Sequence, residues 1–581
     1  MEKSIIPIFY ACDDAFIKYT VVSLHSMICN ASRDYQYRVY VLHTEASEVM
    51  KKAVLDLADD CFDISFVDVT EYLDSISDKL PVRDYYSKTT YYRLFIADMF
   101  PEYDKAIYID SDTIVQGDIS QLYLTDIGDC YLGACHEQAM VQVDEYGTYA
   151  ERVVGISRHN FFNAGMILIN CDAFRRHTVL DKFISYLHVY TFVVTQDEDY
   201  LNLICKDHVF WLDQRWNTEV YCHIPYPVEE AHILHYIMTS KPWHYSDCKH
   251  ANIFWKYARE TSVYVNLCDE LTSYTQEQRD RDSETMTNLL ALAVKETNRP
   301  DNYLNRLNKK RDQGRVAILK KIEQYERDGR FGEDVEDDPP SRVLMPDEIE
   351  YYHKNPWQKL MTKIAFDRAH KFVHKLIADK QLIIKEIRGL EHFKNLDSGA
   401  IITCNHFNAF DSFAIQLSYE ASEQKKRTFY RVIREGNYTS FPGFYGFLMR
   451  HCNTLPLSSN RHTLKKFTDA TLRLLREGHF VLVYPEQSMW WNYRKPKPLK
   501  TGAFLFAAKS NVPVLPCFIT MQDSDIIAPD GFPVQEYTIH IAPPIYPDPN
   551  LSYRQNTDYL MSENTRIWRE IYESQYHIPL A

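Results

Sequence analysis

Residues 105–119 read KAIYIDSDTIVQGDI, and this stretch decides the fold of the first half of the chain. The apolar run Lys105–Ile109 predicts a buried strand, and the carboxylates of Asp110 and Asp112 follow it directly. Ligand crevices of α/β sheets lie outside the carboxyl ends of the strands, so both carboxylates are expected there. Two hard oxygen ligands suit Mg²⁺ or Mn²⁺. The stretch therefore predicts a cation site on an α/β sheet.

Similar apolar runs extend in both directions from this stretch. Strands are predicted at Ser4–Ala11, Tyr37–Leu42, Ile64–Val67 and Met166–Ile169. Helical spacing separates them, as in Ser47–Ala58 and Tyr91–Met99. Strand and helix alternation over residues 1–245 predicts an α/β sheet with parallel strands.

A second group of strands follows further along the chain. After a helical pattern at Trp357–Ile377, the predicted strands are Ile383–Ile387, Ala400–Cys404, Phe480–Tyr484, Val512–Ile519 and Thr538–Ile541. Between the two groups, residues 276–330 are charged and helical in pattern, and Gly332–Pro340 is acidic and ends in two prolines. We expect domains at 1–270 and 346–581, joined over 271–345 by a helical connector and an acidic linker.

Length and charge agree with two modules. The chain has 581 residues, 45% of them hydrophobic, and a formal net charge of −15, which argues against a general nucleic-acid binder. The charge is uneven, because residues 1–300 carry 26 Lys+Arg against 46 Asp+Glu, whereas residues 351–581 carry 29 against 21. This asymmetry favours different partners for the two modules.

Compartment signals point to the cytosol. No stretch reaches about 18 uninterrupted apolar residues, and the short apolar run at the N-terminus is unlike a secretory signal. The 13 Cys are scattered singly without a CxxC pair, as expected for reduced thiols. The sequence predicts a cytoplasmic bacterial protein that contacts the inner face of the cell membrane peripherally.

Five motifs in the first half resemble glycosyltransferase family 8, over roughly residues 4–260. The motifs are Ala11–Asp14 after the first strand, Tyr92–Leu94 with Tyr108–Val115 and Gly117–Ile119, Phe162–Asn170, Asp197–Asn202, and His235-Tyr236 with Lys241–Trp243. The resemblance implies a GT-A (Rossmann-like) fold. It also implies transfer of a hexose from a UDP-sugar with retention, using Mn²⁺ (or Mg²⁺).

The matched positions imply roles for individual residues. The metal ligands are Asp110, Asp112 and His235, since imidazole and carboxylates together suit Mn²⁺. The donor-binding residues are Ala11 and Asp13 at the uracil, Arg93, Asn163 and Ala164 at the sugar, and Lys241 at the diphosphate. Asp197 also contacts the sugar.

Retention requires a group on the β-face of the anomeric carbon or an internal return mechanism. The resemblance places Asp197 and Glu198 there as catalytic candidates. The family commonly has Gln where this chain has Glu198, so a formal nucleophile is conceivable, but Gln196-Asp197 allows a one-residue ambiguity in the match. Ala15 in place of a common Asn, and Met238 in place of a Gly, leave the identity of the donor open.

A different pattern opens the second half. Residues 400–411 read AIITCNHFNAFD, so an NHxxxxD pattern follows a strand. His406 can take a proton from an attacking hydroxyl, and Asp411 can hold the other ring nitrogen and stabilise the imidazolium. Downstream come Val483–Met489, Leu499–Ala503 and Val512–Pro516.

This series resembles the lysophospholipid (1-acylglycerol-3-phosphate) acyltransferase family, over roughly residues 357–550. The family moves a fatty acyl group from acyl-CoA or acyl carrier protein to a lipid hydroxyl without a metal. His406 and Asp411 match its catalytic pair. Glu486, Ser488 and Lys500 are the predicted acceptor-binding residues.

Met489 stands where the family has an Arg that binds the acceptor phosphate. Arg494, Lys495, Lys497 or Lys500 are possible substitutes, and a phosphate-free acceptor such as a glycolipid or a sugar hydroxyl is the other interpretation. The Trp357–Ile377 helix, with lysines among apolar residues, fits either an interfacial helix on an anionic membrane or a helix packed on the domain core.

The sequence thus predicts two α/β transferase domains joined by a charged helical connector. The expected activities are retaining transfer of a hexose to a cell-envelope lipid or glycan, and acyl transfer to a lipid or glycolipid hydroxyl. The alternative is an active glycosyltransferase whose second domain is a catalytically inactive lipid-binding or membrane-docking module. The identity of the sugar, acceptor and acyl chain is left open.

Overall fold

The computed structural model describes residues 3–71, 88–336, 341–352, 355–424 and 426–580. The chain divides into two compact units, Met1–Leu307 and Asn308–Ala581. Each unit has its own seven-stranded sheet and its own buried apolar core.

The first unit is built on a sheet in the order β3-β2-β1-β4-β7-β6-β8 and a small sheet in the order β5-β10-β9. The strands are β1 Ile5–Ala11, β2 Gln36–His43, β3 Phe62–Asp68, β4 Lys105–Ile109, β5 Thr113–Val115, β6 Leu132–His136, β7 Phe162–Asn170, β8 Val209–Trp211, β9 Thr218–Glu219 and β10 Ile233–His235. The predicted strands of this half are confirmed. Only the expectation of a parallel sheet needs correction, because β7 pairs antiparallel with both β4 and β6.

Helices cover this sheet on both faces, which explains the nearly unbroken burial of its central strands. They are α1 Ile17–Asn30, α2 Glu48–Leu55, α3 Ile96–Met99, α4 Ile119–Leu124, α5 Gln138–Gln142, α6 Asp144–Tyr149, α7 Cys171–Arg176, α8 Val179–Val189, α9 Asp197–Cys205, α10 Ala251–Ala258, α11 Tyr264–Ser273, α12 Gln276–Asn298 and α13 Tyr303–Lys309. Short 3₁₀ or π turns lie at Lys88–Leu94, Ala150–Val154, Arg158–Asn160, Gln214–Asn217 and Val228–Glu230.

The second unit has a sheet in the order β11-β17-β16-β12-β15-β13-β14. Its strands are β11 Ile383–Arg388, β12 Ala400–Thr403, β13 Phe429–Arg434, β14 Thr454–Leu457, β15 Phe480–Val483, β16 Val514–Ile527 and β17 Pro533–Ile541. The five strands from β16 to β14 run parallel, and the β16–β17 pair is antiparallel. The strands predicted for this half are confirmed.

The helices of the second unit flank this sheet. They are α14 Gln313–Arg327, α15 Pro356–Ala378, α16 Leu390–Lys394, α17 Asp411–Ala421, α18 Glu435–Thr439, α19 Gly443–His451, α20 Arg461–Arg476, α21 Gly502–Ser510 and α22 Tyr553–Tyr576. None of the described helices is both long enough and apolar enough to span a membrane.

The predicted connector does not form a body of its own. Helix α12 contributes Leu289 and Ala293 to the core of the first unit, whereas α14 contributes Val316 and Ile322 to the second. The described part of the acidic stretch also packs on the second unit, because Val335 is buried against Trp490. Residues 337–340, the rest of the predicted linker, lie outside the described part of the chain.

Candidate active sites

The first site gathers three ligand side chains at the carboxyl end of β4. Oxygens of Asp110 and Asp112 and a ring nitrogen of His235 all lie within 4.8 Å of one another. Asp110 directly follows β4, and His235 ends β10. Antiparallel pairing sets His235 opposite Thr113, the residue after Asp112. The strand pairing therefore brings together residues that are 123 positions apart.

The cluster fits a divalent cation. The His235 Nε2 atom lies 3.1 Å from Asp112 Oδ1 and 3.9 Å from Asp110 Oδ2. The Lys241 ammonium lies 2.5 Å from Asp112 Oδ2, so a positive charge is already bound at this position. Although burial raises the pKa of the Asp112 carboxyl, Lys241 and His235 outweigh it and hold that pKa below its usual range. Such an oxygen-rich set with one imidazole suits Mn²⁺ or Mg²⁺.

Gly165 keeps the space between the ligands open. A Cβ built on this residue would overlap the His235 ring and lie 2.7 Å from Asp110 Oδ2. The Gly165 carbonyl also accepts a 2.7 Å hydrogen bond from the Asp110 backbone N–H. The absence of a side chain here lets β7 approach the ligands closely.

A buried hydrogen-bond chain orients His235. Its Nδ1 lies 3.0 Å from Asn217 Oδ1, and the Asn217 amide donates to Asn163 Oδ1 at 2.8 Å. Asn163 in turn donates to Glu137 at 2.6 Å. An acceptor at Nδ1 fixes the tautomer that leaves the Nε2 lone pair free for a cation. The sequence motifs include Asn163 but give no signal for Asn217 or Glu137, which lie in a short 3₁₀ turn and after β6.

Arg93 is a buried cation held between two carboxylates. Its guanidinium lies 3.1 Å from Asp110 Oδ1 and 3.1 Å from Asp197 Oδ2, and it also donates to the Ala164 carbonyl. Against the effect of burial, Asp110 and Asp197 raise the pKa of Arg93, so it remains charged. Arg93 therefore joins the metal-ligand strand to the start of α9.

The two carboxyls predicted to be catalytic occupy the same cavity as the cation cluster. Burial raises the pKa of Asp197 to about 6 against the opposing effect of Arg93. Burial and the nearby Glu137 raise the pKa of Glu198 well above its usual range. Glu198 also accepts a 2.9 Å hydrogen bond from the Ala164 N–H.

The cavity measures about 130 Å³. Eight residues singled out by the sequence line it, namely Arg93, Asp110, Asp112, Asn163, Asp197, Glu198, His235 and Lys241. Ala11 and Asp13 are not among its lining residues. Ala11 is the last residue of β1, which pairs in parallel with β4. Phe9 pairs with Tyr108, so Ala11 and Asp110, each two residues further along, lie side by side. The Asp13 carboxylate accepts a hydrogen bond from the Phe16 N–H in the turn before α1.

The second site, in the other unit, is built where β12 ends. His406 Nδ1 lies 2.8 Å from Asp411 Oδ2, and the N–H groups of Phe407 and Asn408 donate to the same oxygen. Asp411 opens α17 and is buried. Because Nδ1 is bound, Nε2 is the nitrogen available to take a proton.

Tyr484 fixes the imidazole from the neighbouring strand. Its hydroxyl donates to Asp411 Oδ1 at 2.8 Å, and its ring stacks on His406 with centroids 4.2 Å apart. Burial and the Asp411 charge raise the pKa of Tyr484 well above its ordinary value, so it stays a donor. Both Asp411 oxygens are thereby satisfied.

Glu486 supports the site from behind rather than lining it. One oxygen accepts from the His406 N–H at 3.0 Å and the other from the Lys497 N–H at 2.8 Å. The Lys497 ammonium lies 3.5 Å from Glu486 in a buried pair. Ser488 is also buried and donates to the Phe331 carbonyl. Neither residue is among those that line the cavity next to His406, and their contact with the acceptor stays a prediction.

A cavity of about 920 Å³ adjoins His406 and Asp411. It is lined by apolar side chains from α15, α17, α19 and α20, including Phe366, Val373, Phe413, Leu448 and Phe467. Lys500, one of the predicted acceptor-binding residues, lines the cavity. Met489, which stands in place of the family's arginine, lines it too. The cavity is large enough for a lipid-sized molecule.

Comparison with known proteins agrees with this division. Residues 7–247 match the model of glycosyl transferase family 8, and residues 385–520 match the acyltransferase family model. The first match includes Asp110, Asp112 and His235, and the second includes His406, Asp411 and Tyr484.

Individual relatives match over part of the chain. A Haemophilus influenzae protein whose name places it among the glycosyltransferases is 29% identical over 260 residues, 42% of this chain and 74% of the relative. The Salmonella typhimurium lipopolysaccharide 1,3-galactosyltransferase is 28% identical over 180 residues, 28% of this chain and 52% of the relative. A crystal structure of the galactosyltransferase LgtC with donor and acceptor sugar analogues is 27% identical, with a TM-score of 0.38, over 44% of this chain and 96% of LgtC.

Replacing Gly165 with Ala is expected to abolish cation binding at Asp110, Asp112 and His235, because the new methyl group overlaps the His235 ring. Mn²⁺ titration followed by electron paramagnetic resonance measures this, and circular dichroism reports the fold. Gly502→Ala is the control, since a Cβ there meets open space in the other unit. Unchanged Mn²⁺ affinity in Gly165→Ala would contradict this account of the site.

Asn217→Ala is expected to weaken Mn²⁺ binding by roughly 10–100-fold, because it removes the acceptor that orients His235. Asn217→Asp keeps an oxygen facing Nδ1 and is expected to retain most of the affinity. The same titration compares the three proteins. Equal affinities for the Ala variant and the unmodified protein would show that the hydrogen-bond chain does not position His235.

Proposed function

Since the chain carries a glycosyl transferase family 8 domain at residues 7–247 and an acyltransferase domain at residues 385–520, we propose that it is a bifunctional transferase. The first domain transfers a hexose from a UDP-sugar, with retention, to a lipid or glycan acceptor of the cell envelope. The second transfers an acyl group from acyl-CoA or acyl carrier protein to a lipid or glycolipid hydroxyl.

The observation that carries the first activity is the cluster of Asp110, Asp112 and His235 in one cavity with Arg93 and Lys241. Mn²⁺ bound there would neutralise the charge that develops on the leaving diphosphate. Lys241 is a flexible point charge that can move from Asp112 to a phosphate oxygen. Ala11 and Asp13 hold the uracil at the adjoining end of β1.

Asp197 and Glu198 face the sugar in this proposal. Burial and the nearby Glu137 raise the pKa of Glu198 well above its usual range, which favours a neutral carboxyl that offers a carbonyl oxygen and a donor, as a glutamine amide does. Asp197 is held by Arg93 and can accept hydrogen bonds from sugar hydroxyls. A carbonyl or carboxylate oxygen on the β-face stabilises positive charge at the anomeric carbon.

The acceptor class rests on the relatives. One of them bears the name lipopolysaccharide 1,3-galactosyltransferase and another lipopolysaccharide glucosyltransferase, each matching less than a third of this chain. An envelope glycolipid is also a substrate on which a sugar and an acyl group can both be placed. Joining the two domains raises the effective concentration of the intermediate at the second site.

The second activity rests on the His406–Asp411–Tyr484 arrangement beside the large cavity. His406 Nε2 takes the proton from the acceptor hydroxyl while the hydroxyl oxygen attacks the thioester carbonyl. The carbon–sulfur bond then breaks, and the thiolate leaves with the proton returned from the imidazolium. Asp411 stabilises the imidazolium formed between these steps.

Peripheral contact with an anionic membrane completes the proposal. Helix α15 buries Ala365, Val373 and Leu376 against the unit but exposes Trp357 and Leu360. Its exposed lysines include Lys359 and Lys363. Exposed apolar and basic side chains on one helix suit the interface of an anionic bilayer.

Sugar transfer is expected to require a divalent cation. Incubating the full chain with a panel of UDP-hexoses and an envelope lipid extract should release UDP, EDTA should abolish the release, and Mn²⁺ should restore it. Asp112→Asn is expected to lower the rate by about 10²-fold or more, whereas Asp129→Asn, an exposed carboxylate of the same unit, leaves it unchanged. EDTA-resistant transfer, or none from any donor, would refute the first half of the proposal.

Acyl transfer is expected to fall by roughly 10²–10⁴-fold in His406→Ala, since the general base is removed. Tyr484→Phe should fall by a smaller factor, because Asp411 still holds the imidazole. Radiolabelled acyl-CoA and the lipid extract measure both, and His462→Ala, exposed on α20, is the control. Full activity in His406→Ala would overturn this mechanism, and lipid binding without turnover in the unmodified protein would favour the docking alternative.

A further inference from the structure

Arg431 is a charged side chain inside the cavity of the second unit that the acyl-transfer mechanism does not use. It lies on β13 and lines the 920 Å³ cavity together with His406 and Tyr484. On the adjacent strand β15 its register partner is Leu482, two residues before Tyr484. Side chains two apart on a strand share a face, so Arg431 is on the side of the sheet where Tyr484 stacks on His406.

Within the described residues, the guanidinium forms no ion pair. Its one hydrogen-bond acceptor there is the neutral side-chain amide of Gln416, and its Nε–H has no acceptor. Glu420, the carboxylate whose charge acts on Arg431, is bonded instead to His370 and Gln416, each at 2.7 Å. An arginine keeps its charge even when burial disfavours it.

A neighbouring arginine is paired with a carboxylate, as is usual. Arg434, three residues along β13, also lines the cavity but is held by both oxygens of Asp334 at 2.7 and 2.8 Å. Burying a cation without a partner costs free energy that the fold must supply. Arg431 therefore has the arrangement of a binding group whose partner arrives with a substrate.

We propose that Arg431 forms an oxyanion-binding subsite that takes a phosphate or carboxylate group of the molecule acylated at His406. The proposal rests on the acyl-transfer function above and narrows its acceptor to an anionic one. Guanidinium groups bind both oxyanions through paired N–H donors, and such charge-assisted bonds are stronger than bonds between neutral groups. The apolar wall of the cavity would hold the hydrocarbon part of the same molecule.

The position of Arg431 favours the acceptor over the acyl donor as the source of the anion. The acceptor hydroxyl must reach His406 Nε2, and Arg431 lies on the same face of the sheet as Tyr484, whose ring stacks on that imidazole. A headgroup anion on Arg431 would thus direct a hydroxyl of the same molecule toward the base. Arg431 on β13 would then bind the anion that the family binds with an arginine at the position of Met489.

Binding of matched probes to the full chain tests the proposal without turnover. The probes are a 1-acylglycerol 3-phosphate, the 1-acylglycerol with the same chain, and coenzyme A, each measured by isothermal titration calorimetry. The phosphate probe is expected to bind at least about 10-fold more tightly than the neutral one, as one charge-assisted contact implies. Arg431→Gln should remove this difference, and Arg431→Lys should restore part of it.

Arg388→Gln is the matched control, because Arg388 forms an ion pair on the protein surface with Glu386 and should change none of the affinities. Thermal unfolding separates binding from folding, since removing an unpaired cation should not lower the Tm of the ligand-free protein. Loss of coenzyme A binding alone in Arg431→Gln would overturn the acceptor assignment and place the donor there. Unchanged phosphate selectivity in Arg431→Gln would overturn the subsite altogether.

These measurements distinguish failure of the anion-binding subsite from failure of the proposed acyl transfer. Phosphate-selective binding that depends on Arg431, with no acyl transfer to any acceptor, would leave the subsite standing and remove the reaction. Acyl transfer that depends on His406 but is indifferent to Arg431 and to the headgroup charge would leave the reaction standing and remove the subsite.

Discussion

Buried charges need a partner, and both units of this chain are organised around that requirement. In the first unit, Arg93 and Lys241 provide positive charge for Asp110 and Asp112 at the end of β4. In the second, Asp411 accepts from His406, from two backbone N–H groups and from Tyr484. Strand ends supply these groups because backbone hydrogen bonding stops there while the surrounding core still excludes water.

The same requirement explains how the imidazoles of the two candidate sites are held. His235 is oriented by Asn217 and His406 by Asp411, so in each ring one nitrogen is committed and the other is left for chemistry. The Glu486 carboxylate follows the same rule, because it accepts from the N–H groups of His406 and Lys497 and pairs with the Lys497 ammonium. Arg431 is the contrasting case, since the described residues give it no ion pair and leave its Nε–H without an acceptor.

The two sites place different demands on their surroundings. The first cavity is small and lined with carboxylates, amides and cations, as a hydrophilic donor with a charged leaving group requires. The second is large and much of its wall is apolar, as a molecule with a hydrocarbon chain requires, although polar and charged residues such as His370, Glu420 and Arg434 also line it. The acidic first half and the basic last part of the sequence follow the same division.

By itself the sequence determined five of the seven strands in each large sheet, the two α/β domains and the residues of both motifs, because apolar periodicity and short motifs are local properties of the chain. Eight of the residues it singled out in the first half meet in one cavity. Only the tertiary structure decided the antiparallel direction of β7, the distribution of the connector helices over both units, and the contacts made by Asn217, Tyr484, Glu486 and Arg431. These depend on which strands become neighbours and on which buried polar atoms find partners, and both are settled by contacts between residues far apart in the chain.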